Sequence, residues 1–168
     1  TIQTIAGNGI RGNIGDDKPA EEASIYGATS LKLNNKGEMF LISPSGFVSL
    51  IRMIDEKGVM RKVLDTVTPK YLDSIEKSKY KGKVQTGELA TITHFSDFAF
   101  DKKGNLATGG RDKSIKLWNP AGSVIRTISG FPEMVMETRY SHDGARIIPG
   151  DWTGSVSVWN ANDGKKVG

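Results

Sequence analysis

The sequence predicts an all-β fold built from repeated four-stranded units, and three observations carry this prediction. Short runs that alternate apolar and polar residues, the pattern of half-buried strands, recur along the chain. Turns that end in glycine separate these runs, and glycine makes up 20 of the 168 residues. Two equivalent turns, Pro120–Gly122 and Asn162–Gly164, place their glycines 42 residues apart. Four strands in a period of about 40–45 residues are typical of one blade of a β-propeller.

Three successive units share this pattern, and the same alternation assigns the strands of each. The predicted strands are residues 29–33, 39–43, 48–54 and 59–64 in the first unit, 97–100, 106–109, 114–118 and 124–128 in the second, and 136–140, 146–148 and 155–159 in the third. Pro149 cannot donate a ladder hydrogen bond, so we expect a strand end or a bulge there. The equivalent Gly58 and Gly122 of the first two units are 64 residues apart, which predicts an insertion over residues 65–91.

The last strand of the second unit has a counterpart at the start of the chain. Residues Ile125–Gly130 and Ile2–Gly7 both have the pattern I-x-T-I-small-G, so Ile2, Thr4 and Ile5 match the apolar and threonine positions of that strand. We therefore predict that residues 1–7 form a displaced outer strand. The third unit lacks a predicted outer strand, so we expect the N-terminal strand of one copy to complete the last unit of another.

We predict a single propeller domain over residues 1–168. Its parts are the displaced strand 1–7, a first blade 23–64, the insertion 65–91, a second blade 92–130, and a third blade 131–168 that lacks its outer strand. Closed propellers have about four to eight blades, so three blades predict a homodimer with six blades and two-fold symmetry. The alternative is a piece of a larger propeller, since the chain begins with threonine rather than methionine.

Composition limits the classes of function that the chain can have. Apolar residues are 37%, charged residues 25% and the mean hydropathy is −0.35, which indicates a globular chain rather than a disordered one. The chain has no cysteine, so it has neither disulfides nor thiolate chemistry. The net charge of +4 suits an anionic partner without requiring one. No apolar run approaches the roughly 18 residues of a membrane span, so we predict no membrane partner.

The two halves of the chain resemble two different repeat families. Thr4–Gly9, Ala23–Gly27 and Ile51–Asp55 are similar to an NHL-type repeat, which implies a six-bladed propeller. Gly109–Asn119 and Ser155–Asn160 resemble WD repeats, which most often form seven blades. Such a mixture suggests a hybrid, either a natural intermediate or an engineered protein.

The chain departs from the WD pattern at several positions. A Trp-Asn pair stands at both places where the family has Trp-Asp, and the Gly-His pair is absent. Asp112 occupies the family's tight-turn aspartate, but Thr153 stands at the corresponding position of the third unit. We therefore expect the hydrogen-bond network that stiffens WD blades to be incomplete. Trp118 and Trp159 end equivalent strands, so we expect them to pack in the core.

No arrangement of residues in the sequence predicts catalysis. His94 and His142 are too far apart in sequence and too few for a zinc site, and no nucleophile elbow or phosphate-binding loop is present. Asp16 and Asp17 lack the spacing of a calcium loop. We predict no enzyme activity, no cofactor and no metal ion. Because some NHL-like propellers are metal-dependent lyases, a lyase or hydrolase at the mouth of the channel is kept as an alternative.

Two features indicate binding of a partner. Trp152 lies in a turn, where it could contact a protein or peptide. The insertion carries a basic run with one aromatic, formed by Lys77, Lys79, Tyr80, Lys81 and Lys83. Such a run could bind the phosphates of single-stranded RNA, with the tyrosine stacked on a base, although a solvated loop explains it more simply. The sequence therefore predicts a non-catalytic interaction scaffold, with RNA or polyanion binding as the alternative.

Overall fold

The computed structural model describes residues 2–34, 36–45, 48–65 and 95–167. The chain divides into two compact units, Thr1–Asp65 and Thr66–Gly168, and each is described by itself. The predicted insertion over residues 65–91 lies outside the described residues apart from its first residue. His94 and the basic run with its tyrosine also lie outside them, so their predicted roles stay predictions.

The first unit contains one antiparallel sheet of four strands in sequential order. Its strands are β1 (Ser30–Leu33), β2 (Met39–Ser45), β3 (Val48–Ile54) and β4 (Met60–Asp65). A long loop with a short 3-10 helix at Ala20–Glu22 precedes them. Ala20 and Ala23 of this loop are buried against Leu41 and Met60, so the loop belongs to the core of the unit.

The second unit contains two antiparallel sheets. The first has the strands β5 (Phe95–Phe100), β6 (Leu106–Gly110), β7 (Ser114–Trp118) and β8 (Val124–Ser129), and the second has β9 (Val135–Tyr140), β10 (Arg146–Asp151) and β11 (Trp159–Asn160). We call these the second and the third sheet. The first two sheets contain the strands predicted for them, which confirms an all-β fold with four-stranded sheets. In the third sheet the predicted strand 155–159 is wrong in its bounds, because only Trp159–Asn160 form β11 and Val156 makes an isolated bridge with Gly150.

A buried apolar cluster lies between the second and the third sheet. Its members come from both sheets and from the segment that joins them: Ala107, Ile115, Leu117, Ile128, Phe131, Val135 and Ile147. Gly109 allows the close approach, because a Cβ there would lie 2.6 Å from Val135 Cγ1 and 2.5 Å from Thr138 Oγ1. The small residues of β6 thus follow from how tightly β9 packs on it.

Two details of the third sheet differ from the sequence prediction. β10 continues through Pro149 to Asp151, and the register shifts between Gly150 and Asp151. The predicted strand end at Pro149 is therefore wrong, whereas the bulge lies one residue further on. Pro149 still takes part in the sheet as an acceptor, because Ser157 N donates to its carbonyl at 3.1 Å.

One isolated bridge lies on the outer side of the third sheet, after the turn at Gly164. It joins Trp159 to Lys166, and Val167 N donates to Val158 O at 2.7 Å. The described residues form three strands in this sheet, so a third blade without its outer strand stays a prediction. The rest of that edge, Ser155–Ser157, has no outer neighbour among the described residues.

Candidate functional site

The open edge of the third sheet is the strongest candidate for a functional site. In the second sheet, β8 covers the whole of β7, from Ser114 to Trp118. The equivalent segment of the third sheet is Ser155–Trp159, and only its last residues are covered. Ile115 is fully buried, whereas the equivalent Val156 is 72% exposed.

The backbone of this segment shows which groups are unpaired. Asp151 N donates to Ser155 O at 3.0 Å, and Ser157 N donates to Pro149 O at 3.1 Å, so the two serines bond inward to β10. Because the direction of the peptide groups alternates along a strand, Val156 turns its N–H and C=O outward. Among the described residues, these two groups make no hydrogen bond. An exposed sheet edge of this kind is a template for pairing with another strand.

Trp152 lies beside this edge, in the turn from β10 to Ser155. Its side chain is 65% exposed, in agreement with the prediction of an exposed turn residue. Its backbone is fixed, because Trp152 N donates to Met134 O at 2.9 Å. The indole therefore projects from a rigid turn, which suits a contact with a protein surface.

Asp151 organises that turn, and sequence reasoning missed it. Its Oδ1 accepts hydrogen bonds from Thr153 N at 2.9 Å, from the Thr153 hydroxyl and from Ser155 N at 3.3 Å. The Thr153 hydroxyl, followed by the backbone N–H groups, lowers the pKa of the Asp151 carboxyl. Asp151 thus accepts the hydrogen bond of Ser155 N in the third sheet. In the second sheet Asp112 accepts the equivalent bond, from Ser114 N. The local signal was the Asp-x-x-Gly spacing of a turn.

Among the described residues, Ile2 to Ile5 belong to no sheet. Ile2 is fully exposed and Ile5 is 56% exposed. The chain becomes anchored just after them, where Gly7 N donates to Ala20 O at 2.9 Å and Asn8 N to Ala23 O at 3.0 Å. Residues 2–5 therefore precede a fixed point on the first unit and expose two isoleucines.

Two arginines fasten the loop that provides this anchor. Arg52 of β3 is fully buried, and its guanidinium donates to Asp16 Oδ1 at 2.9 Å, to Ser24 O at 2.8 Å and to Ile14 O at 3.2 Å. Arg61 of β4 is more exposed and bonds the carboxylates that flank it, Asp17 at 2.6 Å and Asp55 at 3.0 Å. Asp16 and Asp17 of the loop thus have structural partners.

The two predicted core tryptophans are in the interior of the second unit. Trp118 is buried, and its Nε1 donates to Thr108 Oγ1 at 3.0 Å. Trp159 is half-buried and packs on Phe131 at a ring-centroid distance of 5.0 Å. A hydrogen bond also joins the second and the third sheet, because the buried Asp97 Oδ2 accepts from Thr138 N at 3.1 Å.

A cleft of about 280 Å³ lies between the second and the third sheet, on the side of the β5–β6 and β9–β10 turns. Its walls include Asp101, Asp143 and Tyr140, and its floor includes Leu117. Burial, followed by the negative charge of Asp101, raises the pKa of the Tyr140 hydroxyl. Both carboxylates already accept backbone hydrogen bonds within their own turns.

His142, one of the two histidines weighed as metal ligands, lies next to a lysine rather than an acid. Its Nε2 is 3.1 Å from Lys102 Nζ. Within residues 2–34, 36–45, 48–65 and 95–167, no three histidine, aspartate or glutamate side chains are close enough to hold a metal ion. In the same ranges, no helix is long and apolar enough to cross a membrane.

Comparison with curated proteins finds WD-repeat relatives. The chain is 31% identical over 70 residues to a bromodomain and WD repeat-containing protein of Dictyostelium discoideum, which covers 39% of this chain and 3% of that protein. It is 24% identical over 99 residues to the small ribosomal subunit protein RACK1 of Caenorhabditis elegans, and the match covers 53% of this chain and 30% of that protein. It is 34% identical over 64 residues to the U5 small nuclear ribonucleoprotein 40 kDa protein of Dictyostelium discoideum, and the match covers 37% of this chain and 18% of that protein. No family model matches the chain.

Solved structures of WD40 propellers share the fold. The WD40 repeats of RRP9 align with a TM-score of 0.58 at 18% identity, over 84% of this chain and 37% of that one. The structure of U3-55K aligns with a TM-score of 0.57 at 18% identity, over 84% and 38%. Each alignment covers 84% of the chain, which is more than residues 66–168 comprise, so it includes part of the first unit.

The chain therefore has the fold of WD40-type β-propeller repeats. It spans less than a third of the length of each of these three curated relatives and 37–38% of the two solved chains. The similarity of the first unit to NHL repeats is not confirmed by these comparisons, so it stays a prediction.

Proposed function

We propose that this chain is a non-catalytic WD40-type scaffold for protein interactions, and that it assembles with a second copy through its N-terminal segment. The observation that carries the assembly is the open edge at Val156. This residue occupies the position in the third sheet that β8 covers in the second sheet. A segment with the pattern of β8 lies at Ile2–Gly7, and among the described residues its first four residues belong to no sheet. One copy thus offers a strand, and another offers the edge that such a strand covers.

The number of blades supports the same assembly. The described residues form three sheets, and closed propellers have about four to eight blades. Two copies would supply six, the number implied by the NHL resemblance. A pair related by a two-fold axis would exchange both N-terminal segments at once, because such interfaces repeat the same contact twice.

The scaffold part of the proposal draws on the relatives and on the exposed turn. Two of the relatives are named as components of a ribosomal subunit and of a small nuclear ribonucleoprotein, which are assemblies. Trp152 on its rigid turn would provide an aromatic anchor for a protein partner, since exposed tryptophans often dominate binding energy. Polyanion binding by the basic run stays an untested alternative, because that run lies outside the described residues.

Light scattering after size-exclusion chromatography tests the assembly. We expect a mass of twice the 18.2 kDa of one chain. Ile5→Asp should shift the protein towards monomer, because a charge would enter the strand that covers Val156. Ile10→Asp is the matched control, since Ile10 is also exposed and lies outside the segment. A monomeric wild-type protein at concentrations up to about 100 µM would overturn the proposed assembly; that ceiling corresponds to roughly 5 kcal/mol of association free energy.

A further inference from the structure

We propose that the cleft between the second and the third sheet binds an arginine side chain of a partner protein. The aliphatic part of that side chain would lie on the apolar surface of the cleft, and its guanidinium would meet the polar wall formed by Asp101, Tyr140 and Asp143. The cleft lies at the β9–β10 end of the third sheet, whereas Trp152 lies at the other end of β10. Binding in the cleft therefore needs neither Trp152 nor the dimer proposed above.

Hydrogen bonds between the turns give the cleft a fixed shape. Ala161 N donates to Ala145 O at 2.9 Å, which joins two residues of its lining. Arg126 of β8 donates to Asn162 O at 2.6 Å and to Asp163 O at 3.2 Å, so the turn that contains both residues is held against the second sheet. A ligand would thus enter a site that is already formed, as is usual for binding pockets.

The size and the apolar surface of the cleft suit one long side chain. Its volume of about 280 Å³ lies just below the roughly 300–1,000 Å³ of pockets that hold drug-sized ligands. Leu117, Ile125, Ala145 and Ala161 supply apolar surface, and Ile125 is 51% exposed. The aliphatic stem of a long basic side chain can cover such surface while its charged head stays in a polar environment.

The polar wall contains oxygen atoms that have no hydrogen-bond partner among the described residues. Asp143 Oδ1 accepts from the Ser141 hydroxyl at 2.5 Å and from Ala145 N at 3.0 Å, but Asp143 Oδ2 accepts no hydrogen bond from the described part of the chain. The same is true of the Tyr140 hydroxyl. A guanidinium has five N–H donors and no acceptor, so one such group can bond both oxygens at once.

The charges of the polar wall favour a cation. Within the part of the chain that the structure describes, no cation forms an ion pair with Asp101 or Asp143. Lys102 places its Nζ 3.1 Å from His142 Nε2 rather than on either carboxylate. Burial, followed by the negative charge of Asp101, raises the pKa of the Tyr140 hydroxyl, so this group stays protonated beside a negative charge. A positive ligand is complementary to such a wall.

Positive charges at the rim weaken this preference without reversing it. Lys102 and Lys103 belong to the lining of the cleft, and both are exposed. Water and salt screen exposed charges more strongly than partly buried ones. Asp101 and Tyr140 are half-buried, so we expect them to decide which ligand enters. Arginine suits the wall better than lysine, because its planar group carries five donors where an ammonium carries three.

A titration with N-acetyl-arginine amide tests the site. Amide signals of nitrogen-15-labelled protein should shift and saturate for lining residues such as Asn105 and Ala145, with a dissociation constant in the millimolar range, since a single side chain makes few contacts. N-acetyl-citrulline amide is the matched control ligand, because a neutral urea group replaces the guanidinium with nearly the same shape. We expect it to bind about fivefold more weakly, the effect of one exposed charge pair.

Single substitutions locate the ligand in the cleft. Asp143→Asn removes the charge but keeps an oxygen for Ala145 N, and Tyr140→Phe removes only the hydroxyl. Each should weaken binding of N-acetyl-arginine amide by about threefold to tenfold. Asp151→Asn is the matched control, because Asp151 also accepts backbone hydrogen bonds within a turn but lies at the other end of β10. Lys103→Ser should strengthen binding, because it removes a repulsive charge.

The outcomes separate this site from the proposed assembly. Equal binding of the arginine and citrulline derivatives would overturn the proposal, as would shifts that do not map to the cleft. So would the absence of any shift at up to about 50 mM ligand, where only very weak binding escapes detection. Weaker binding after Lys103→Ser would show that the cleft prefers an anion. A monomer by light scattering that still binds N-acetyl-arginine amide would refute the assembly and keep the site.

Discussion

Replacing Arg52 should selectively loosen the first unit of the chain. The side chain is fully buried in β3, and it connects Asp16, Ser24 O and Ile14 O of the preceding loop. Arg52→Met keeps much of the apolar stem but removes every one of these donors. The Asp16 carboxylate, whose side chain is 29% exposed, would lose its partner, and the Ser24 carbonyl would be left buried.

The magnitude follows from the burial of the pair. Removing one partner of a buried ion pair typically costs about 3–5 kcal/mol, because the other partner is left uncompensated. Asp16 retains some access to water, so we expect the lower end, about 3 kcal/mol. Arg61→Met is the matched control. Arg61 lies at the surface and bonds Asp17 and Asp55, whose side chains are 78% and 18% exposed, so water screens these pairs and we expect a much smaller loss than at Arg52.

Hydrogen exchange of the β3 amides is the suitable assay. All three tryptophans lie in residues 66–168, so their fluorescence reports on the second unit alone. A loss of about 3 kcal/mol corresponds to roughly a hundredfold faster exchange, since 1.4 kcal/mol is a factor of about ten. Protomer concentration must be held constant, because assembly adds to stability. Equal, small effects of Arg52→Met and Arg61→Met would refute the reasoning.

Two further predictions concern the second unit. Gly109→Ala should destabilise it by about 1–3 kcal/mol, because the new Cβ would overlap Val135 and Thr138 in a packed interior; urea unfolding followed by tryptophan fluorescence measures this, and an unchanged midpoint would contradict the close approach. The carboxyl pKa of Asp151 is lowered in the folded chain, so its contribution to stability is present above the unfolded pKa of about 3.9 and is lost as the pH falls through the folded value. Thr153→Val removes the hydroxyl that lowers this pKa most, so a carbon-13 titration should show a higher pKa for Asp151. An unchanged pKa would contradict the role of the hydroxyl and assign the lowering to the backbone N–H groups.

Much of the fold could be predicted because its signals are local. The alternation within β7 and β8 and the glycines after each turn are visible in a few consecutive residues. The 42-residue spacing between Gly122 and Gly164 then predicts a propeller blade from the sequence alone. The match between Ile2–Gly7 and β8 is likewise a property of short segments.

The features that sequence reasoning missed depend on residues distant in the chain. Arg52 looks like an exposed arginine in an alternating strand, and only the folded loop shows that it is buried against Asp16, 36 positions away. Asp151 was overlooked because the family pattern directed attention to Thr153. The bridge between Trp159 and Lys166 was missed because a single bridged residue shows no alternation.

The sequence by itself determined the type and order of the strands, since side-chain alternation and turn chemistry act over neighbouring residues. The tertiary structure decided which backbone groups pair. Val156 turns its N–H and C=O away from β10 because its neighbours Ser155 and Ser157 bond to that strand, and such bonds join segments that propensity alone does not pair. The tertiary structure also decided where the N-terminal segment is anchored, because that requires a buried arginine to hold a loop against a sheet.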